Sequence, residues 1–240
     1  MEKRDKMLEG HTKAVYATDR PDRIVLHFKD MATAYHGIKR ARIAGKGILA
    51  NRISALLFQA LQAQGVSSHF IEILNDREQL CQNLWMIPLR LVVRNVAAGS
   101  IVRRLGQAEG TVFHEPVIEL SYKNEALDHP LINRHHAVAM GIADRAELDI
   151  MCDVAYRVND VLDGLFRACG IRLVDFKLEF GRTAAGEIVV ADEISPDTCR
   201  LWDLESGRRL DRDRFRRDMG DIVAAYQEVY DRLCNHAKND

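Results

Sequence analysis

Residues 171–203, IRLVDFKLEFGRTAAGEIVVADEISPDTCRLWD, form a predicted hairpin with charge inside it. Side chains alternate faces along a strand, so Val174, Phe176, Leu178 and Phe180 are expected on one side and Asp175, Lys177 and Glu179 on the other. GRTAAG is a six-residue turn with glycine at both ends, and Ile188 to Ala191 returns as an apolar strand ending in Asp192 and Glu193. If Asp175 pairs opposite Asp192, both carboxylates share the charged face. A slip of one residue undoes that, and the register stays open. Carboxylates around a lysine are costly unless neutralised, and Mg2+ carrying a polyphosphate neutralises them through hard oxygen ligands. The plain alternative is a solvated face of cross-strand ion pairs. The continuation SPDTCRLWD favours a site, because it brings further charges to a strand end.

The chain of 240 residues is long enough for one large domain or two small lobes, and 47% hydrophobic with 29% charged residues describes an ordinary globular composition. With a net charge of -1 and no basic arm, nucleic acid is not an expected partner. Five scattered cysteines without CxxC spacing point to reduced thiols in a cytoplasmic protein. No apolar run approaches a membrane span, and MEKRDKMLEG carries no apolar leader core, so no membrane partner is expected.

Ala14–Ala17 and Ile24–Phe28 flank the turn TDRPD and predict a first hairpin. Before it, Gly10 and Lys13 stand where a loop enters a strand, a place that covers phosphates or is simply a turn with a solvated lysine. Lys29 to Gly47 reads as loop, and Ile53, Leu56, Leu57, Ala60 and Leu61 mark a helix with Gly65 beyond its end. Phe70 to Leu74 predicts a strand. In LWMIPLRLVVRN, Leu84 to Asn95, Pro88 is expected to break or edge the pairing. Ser100 is an expected N-cap, and with Arg94 it makes either a phosphate clamp or a cap beside a surface arginine. Leu120–Lys123 predicts a strand and NEALDHPLINRHH a polar loop. Asp144 and Glu147 form an expected capping box for a helix through Leu162, and Phe215 to Leu233 marks a C-terminal helix. The result is an α+β chain of two lobes with a cleft between them.

Three pieces carry a resemblance: Val93-Arg94-Asn95 with Ala98-Gly99-Ser100; Asp175 to Gly181, DFKLEFG; and Asp192 to Asp197, DEISPD, with Arg200 to Asp203, RLWD. On these the chain resembles the SAICAR synthetase family in its short bacterial form, from about Leu8 to Leu233. The resemblance implies a two-lobed, ATP-grasp-like fold of antiparallel sheets and flanking helices. An ATP-binding lobe would occupy residues 1–85 and a substrate and metal lobe residues 86–240. It also implies an ATP-dependent ligase of purine biosynthesis that joins a ribotide carboxylate to L-aspartate through an acyl phosphate, with a homo-oligomer expected. Carried over position by position, Gly10, His11 and Lys13 lie over the ATP phosphates and Met86 beside adenine. Glu179 and Asp192 hold Mg2+, and Lys177 stands near the transferred phosphate. Arg94, Ser100 and Arg200 grip the 5′-phosphate, and Asp175 contacts the nucleotide. Lys123 and Asp213 lie near the aspartate, with Thr33 and His129 on substrate loops.

The chain departs from the family pattern at His11, where lysine is usual, at His36, and at His129, where aspartate is usual. These departures leave the presumed metal carboxylates and phosphate clamp untouched and put the identity of the substrate in question. A paralogous ligase for a related heterocyclic carboxylate, and a nucleotide-binding protein without catalysis, are the alternatives. The intact Asp175, Lys177, Glu179 and Asp192 argue against the second.

Overall fold

The computed structural model describes residues 1–35 and 37–238, so His36 lies outside the described residues. Lys3–Glu9 (β1), Lys13–Thr18 (β2) and Arg23–Phe28 (β3) form an antiparallel meander, and the Thr18 hydroxyl closes its second turn on the Arg20 carbonyl at 2.8 Å. The segment expected as loop instead holds a hairpin, Met31–Ala34 (β4) with Lys39–Arg42 (β5), and the first turn of Lys46–Ala63 (α1). Four-residue strands show too little alternation to be read. The glycines hide the helix start: Gly45 is its left-handed N-cap, and a Cβ on Gly47 would stand 2.7 Å from the Phe28 carbonyl oxygen. Phe70–Asn75 (β6) and Glu78–Gln82 (β7) complete a five-stranded sheet ordered β1-β2-β3-β7-β6.

The remaining strands are Trp85–Val96 (β8), Val112–Tyr122 (β9), Leu131–Ile132 (β10), Ile171–Arg182 (β11), Ile188–Ala191 (β12) and Cys199–Asp203 (β13). They form a second antiparallel sheet, β10-β9-β8-β11-β12, with β13 also on β11. Between them run Ser100–Leu105 (α2), Arg134–Ala139 (α3) and Arg145–Ala168 (α4), and after them Asp213–Arg216 (α5) and Ile222–His236 (α6). The polar segment expected as loop therefore contains β10, α3 and a 3-10 turn, Glu125–Leu127. The expected C-terminal helix is two, parted by Asp218 and Gly220 in left-handed conformation, with Met219 outside the packed face and Asp221 capping α6 through the Ala224 amide.

Pro88 does not end β8. The strand runs through it at the centre of the sheet, and the register slips there: Arg90 stands opposite Glu179, Met86 opposite Gly181. A residue without an N–H is tolerated where the ladder is already interrupted. A second bulge corrects the expected faces of β11. Leu173 pairs with Leu201 and Asp175 with Arg200, so Val174 is the extra residue. Leu173 and Phe176 both enter the main core, whereas Val174 packs on the other face with Val96, Ala98 and Trp202.

Phe176, Leu178 and Phe180 of β11 and Leu89, Leu91 and Val93 of β8 meet Leu148, Met151, Ala155, Val158 and Leu162 of α4, all buried. The α4 N-terminus carries the expected capping box, with Asp144 accepting from the Glu147 amide and Glu147 from the Asp144 amide. Ile53, Leu57 and Leu61 of α1 and Tyr226, Val229 and Leu233 of α6 join the same core, so α1 ties the first sheet to the second. Among the described residues no helix is long and apolar enough to cross a membrane, and Cys81, Cys152, Cys199 and Cys234 are free.

Candidate active site

One edge of β11 is shared. Its N-terminal part pairs with β13 as far as Phe176, its C-terminal part pairs with β12 from Glu179, and Lys177 lies in the gap. There the Lys177 amide donates to the Thr198 carbonyl at 2.9 Å. The chain leaving β12 passes through this gap before returning as β13, and so delivers Asp192 beside Lys177, with Glu193 and Asp197 lining the same cleft. Asp175 and Asp192 are not opposite each other: β12 pairs Ala191 with Glu179, while Asp175 faces Arg94 and Arg200. The turn is also shorter than expected, because Gly181 and Arg182 belong to the strand.

Two charge clusters result. In the first, the Lys177 ammonium donates to Glu179 Oε1 at 2.8 Å and Asp192 Oδ2 at 3.2 Å. Lys13 reaches across from β2 to Asp192 Oδ1 at 2.5 Å and Glu193 Oε1 at 2.6 Å, and Lys123 pairs with Glu179. Burial pulls both Lys177 and Lys13 down, but the carboxylates beside them outweigh it and raise both ammonium pKa values. Burial likewise opposes ionisation of Glu179 and Asp192, and the lysines overcome it and hold both carboxylates below their usual range. All four groups are therefore charged at neutral pH. Asp192 stands at φ 66, and His69, whose imidazole burial depresses to about 4, donates to its main-chain carbonyl at 2.9 Å.

In the second cluster, Arg94 Nη1 and Arg200 Nη1 both donate to Asp175 Oδ2, at 2.8 and 2.6 Å. Arg94 Nε also donates to Glu119 at 2.7 Å, and Arg200 Nε to Asp213 at 2.9 Å. Asp175, Arg94 and Asp213 are buried, and Arg200 is partly exposed. Fixed guanidinium forks of this kind recognise phosphate or carboxylate oxygens.

Both clusters open into one cleft of about 670 Å³. Its lining includes Lys13, Lys123, Lys177, Glu179 and Asp192 from the first cluster and Arg94, Asp175, Arg200 and Asp213 from the second, with Gly10, His11 and Thr33 at the β-rich side. Three expected site residues lie outside that lining. Met86 is exposed on β8, and His129 stands at φ 49 on the loop before β10. Ser100 is the first residue of α2 and exposed; the N-cap is Gly99, so the expected serine cap is not formed. Arg90, Glu193 and Asp197 line the cleft and were not expected there by themselves. The alternation Arg90, Val92, Arg94 along β8 is a signal that finds the first. Lys46 is a buried partner of Asp197, which also accepts from Tyr226 Oη at 2.8 Å; no pattern in the sequence joins these three.

A family model described as SAICAR synthetase matches residues 6–233. A phosphoribosylaminoimidazole-succinocarboxamide synthase of Dichelobacter nodosus (strain VCS1703A) is 54% identical over 233 residues, covering 97% of this chain and 98% of that protein. The crystal structure of the synthase of that name from Ehrlichia chaffeensis superposes with a TM-score of 0.94 at 42% identity, over 95% of this chain and 98% of the other. A SAICAR synthetase in complex with ADP superposes with a TM-score of 0.92 at 45% identity, over 94% and 96%. With this cleft and likeness over nearly its whole length, the chain belongs to the SAICAR synthetase family.

Proposed function

We propose that this protein is the ATP-dependent ligase that joins 5-amino-1-(5-phosphoribosyl)imidazole-4-carboxylate to L-aspartate. The observation that carries this reading is the juxtaposition, in one cleft, of a lysine-carboxylate cluster and a two-arginine clamp. The first suits a nucleotide triphosphate, the second a phosphorylated second substrate. A carboxylate resists attack by an amine because its leaving group would be oxide. Transfer of the γ-phosphoryl group from ATP to the ribotide carboxylate gives an acyl phosphate and ADP. The aspartate amine, having lost a proton, then displaces inorganic phosphate and forms the amide.

Two anions must meet for the first step. Lys13 and Lys177 would lie along the polyphosphate, and Lys177, between both carboxylates, is the group suited to the phosphoryl oxygens that gain charge. Arg94 and Arg200 would grip the ribotide phosphate. Asp175 takes both guanidinium groups on a single oxygen, which suits an anchor for the clamp in contact with the nucleotide. Lys123, which is exposed, and Asp213 fit the aspartate end of the cleft.

Mg2+ would be held by Glu179 and Asp192. Among the described residues no three His, Cys, Asp or Glu gather to hold a metal by themselves. Mg2+ does not require that, since it is bound through one or two carboxylates together with waters and substrate phosphates. The two residues fit, because their donors are hard oxygens and one cation, the Lys177 ammonium, already touches both. When bound, the metal offsets the negative charge of the phosphates. The free thiols of Cys81, Cys152, Cys199 and Cys234 suit a cytoplasmic setting.

The test is ATP turnover with the ribotide carboxylate, with and without L-aspartate and with other amino acids in its place. The expected result is ADP, phosphate and the succinocarboxamide only when aspartate is present. Faster turnover with a different amine, or none with both substrates, overturns the reading.

A further inference from the structure

His69 is buried where the two sheets meet, at 3% exposure. Its amide donates to the Val190 carbonyl of β12 at 2.8 Å, and its own carbonyl accepts from Gln82 of β7 at 2.7 Å. The ring packs edge-on against Phe58 of α1, with centroids 5.5 Å apart at 66°. That leaves Nε2 to donate to the Asp192 main-chain carbonyl at 2.9 Å. Asp192 is held at φ 66, a left-handed conformation that is strained for a non-glycine residue and persists only where neighbours enforce it. The backbone turn at Asp192 decides where its carboxylate points. It points to Lys13 on one oxygen and to Lys177 on the other.

We propose that His69 is a positioning residue for the nucleotide site. Its hydrogen bond to the Asp192 carbonyl fixes the left-handed backbone that aims the carboxylate into the cleft, and so sets the affinity for the divalent cation that accompanies the nucleotide. The proposal rests on the reading of Asp192 as a metal carboxylate. His69 touches neither metal nor nucleotide. It acts from behind, as groups that orient metal ligands do. Because the same residue splices β12 to β7, the carboxylate is registered against the sheet that carries Lys13, its other cation.

The test is calorimetric binding of ADP at a series of Mg2+ concentrations, with a thermal melt of each variant alongside. His69→Phe keeps the packing on Phe58 and removes the donor. Loss of an orienting partner typically weakens metal affinity about 10–100-fold, so half-maximal ADP binding is expected to need that much more Mg2+. His69→Gln, whose amide can donate to the same carbonyl, is expected to restore the parental Mg2+ requirement. If His69→Phe melts earlier but binds ADP at parental Mg2+, the histidine is packing alone and the proposal falls. It falls equally if His69→Gln binds no better than His69→Phe. Should phenylalanine prevent folding, His69→Met also lacks the donor and takes its place. Asp192→Asn in the same titration separates the two claims. Parental binding by Asp192→Asn overturns the reading of Asp192 itself. Lost binding there with parental binding in His69→Phe overturns only the role of His69.

Discussion

Gly99 shows how far a single atom reaches into this site. It turns at φ 66 before α2, and a Cβ there would stand 2.6 Å from Nη2 of Arg200, the guanidinium that shares Asp175 with Arg94. Gly99→Ala is therefore expected to displace Arg200 and to weaken the ribotide by the worth of a charged hydrogen bond, about 1.5–3 kcal/mol, or roughly tenfold or more in KM. ADP binding, which depends on the other cluster, is expected to hold. Equal losses for both ligands would show that the two clusters are not separate. At that other cluster, Glu179→Gln and Asp192→Asn each leave Lys177 with one carboxylate in place of two. Either change is expected to lower kcat about 100-fold or more, while circular dichroism stays parental. Near-parental turnover of both variants at ordinary Mg2+ would make the cluster structural.

Between elements, the buried pair of Lys46 and Asp197 pins the first turn of α1 to the chain between β12 and β13. Lys46→Met leaves Asp197 charged and buried with Tyr226 as its neutral partner, and breaking such a pair costs about 3–5 kcal/mol. A urea denaturation midpoint within experimental error of the parent would refute this. Asp211 makes a second test, between β13 and α5. Burial, and next the charge of Asp213, raise its carboxyl to about 7, against the amides of Leu201 and Asp213 that it accepts. A carboxyl with a raised folded pKa contributes stability at low pH that is lost as pH rises from about 4 to 7. Asp211→Asn is expected to flatten that part of the stability profile, at the cost of one amide bond. An unchanged slope would remove Asp211 as its source. These cases also mark what the sequence makes legible. The capping box of α4, its helically spaced core residues and the charged row of β11 are local patterns, and each folds as its spacing implies. The bulges at Val174 and near Pro88, the pairing of β4 with β5, and the meeting of Lys46 with Asp197 depend on partners far along the chain. Only tertiary pairing decides them. At the site, Lys177, Glu179 and Asp192 come from one legible hairpin, whereas His69 looks like any core histidine until its Nε2 is seen to reach Asp192.

Across the whole molecule, the cleft balances its own charges. Lys13 and Lys177 are paired with Glu179, Asp192 and Glu193, and Arg94 and Arg200 share Asp175. Anionic substrates must compete for these cations, and the two clusters should yield to them by different means. A nucleotide brought to the lysine cluster adds negative charge where three carboxylates already stand, so its binding should depend on a divalent cation. A ribotide phosphate at the arginine clamp meets guanidinium groups that face Asp175, Glu119 and Asp213 but present planar N–H forks matched to phosphate oxygens, and should need no metal. A ligand that binds only the folded state, present at a hundredfold excess over its Kd, stabilises by about 2.7 kcal/mol. For a chain of this size that is roughly 2–4 °C of Tm per kcal/mol. Melting the protein with each ligand, with and without a chelator, reads the difference directly. The Tm shift with ADP is expected to vanish on chelation, and the shift with the ribotide carboxylate to remain. If chelation removes both shifts, the metal also organises the arginine clamp. If it removes neither, Glu179 and Asp192 do not act through a metal, and Lys13 and Lys177 alone hold the nucleotide.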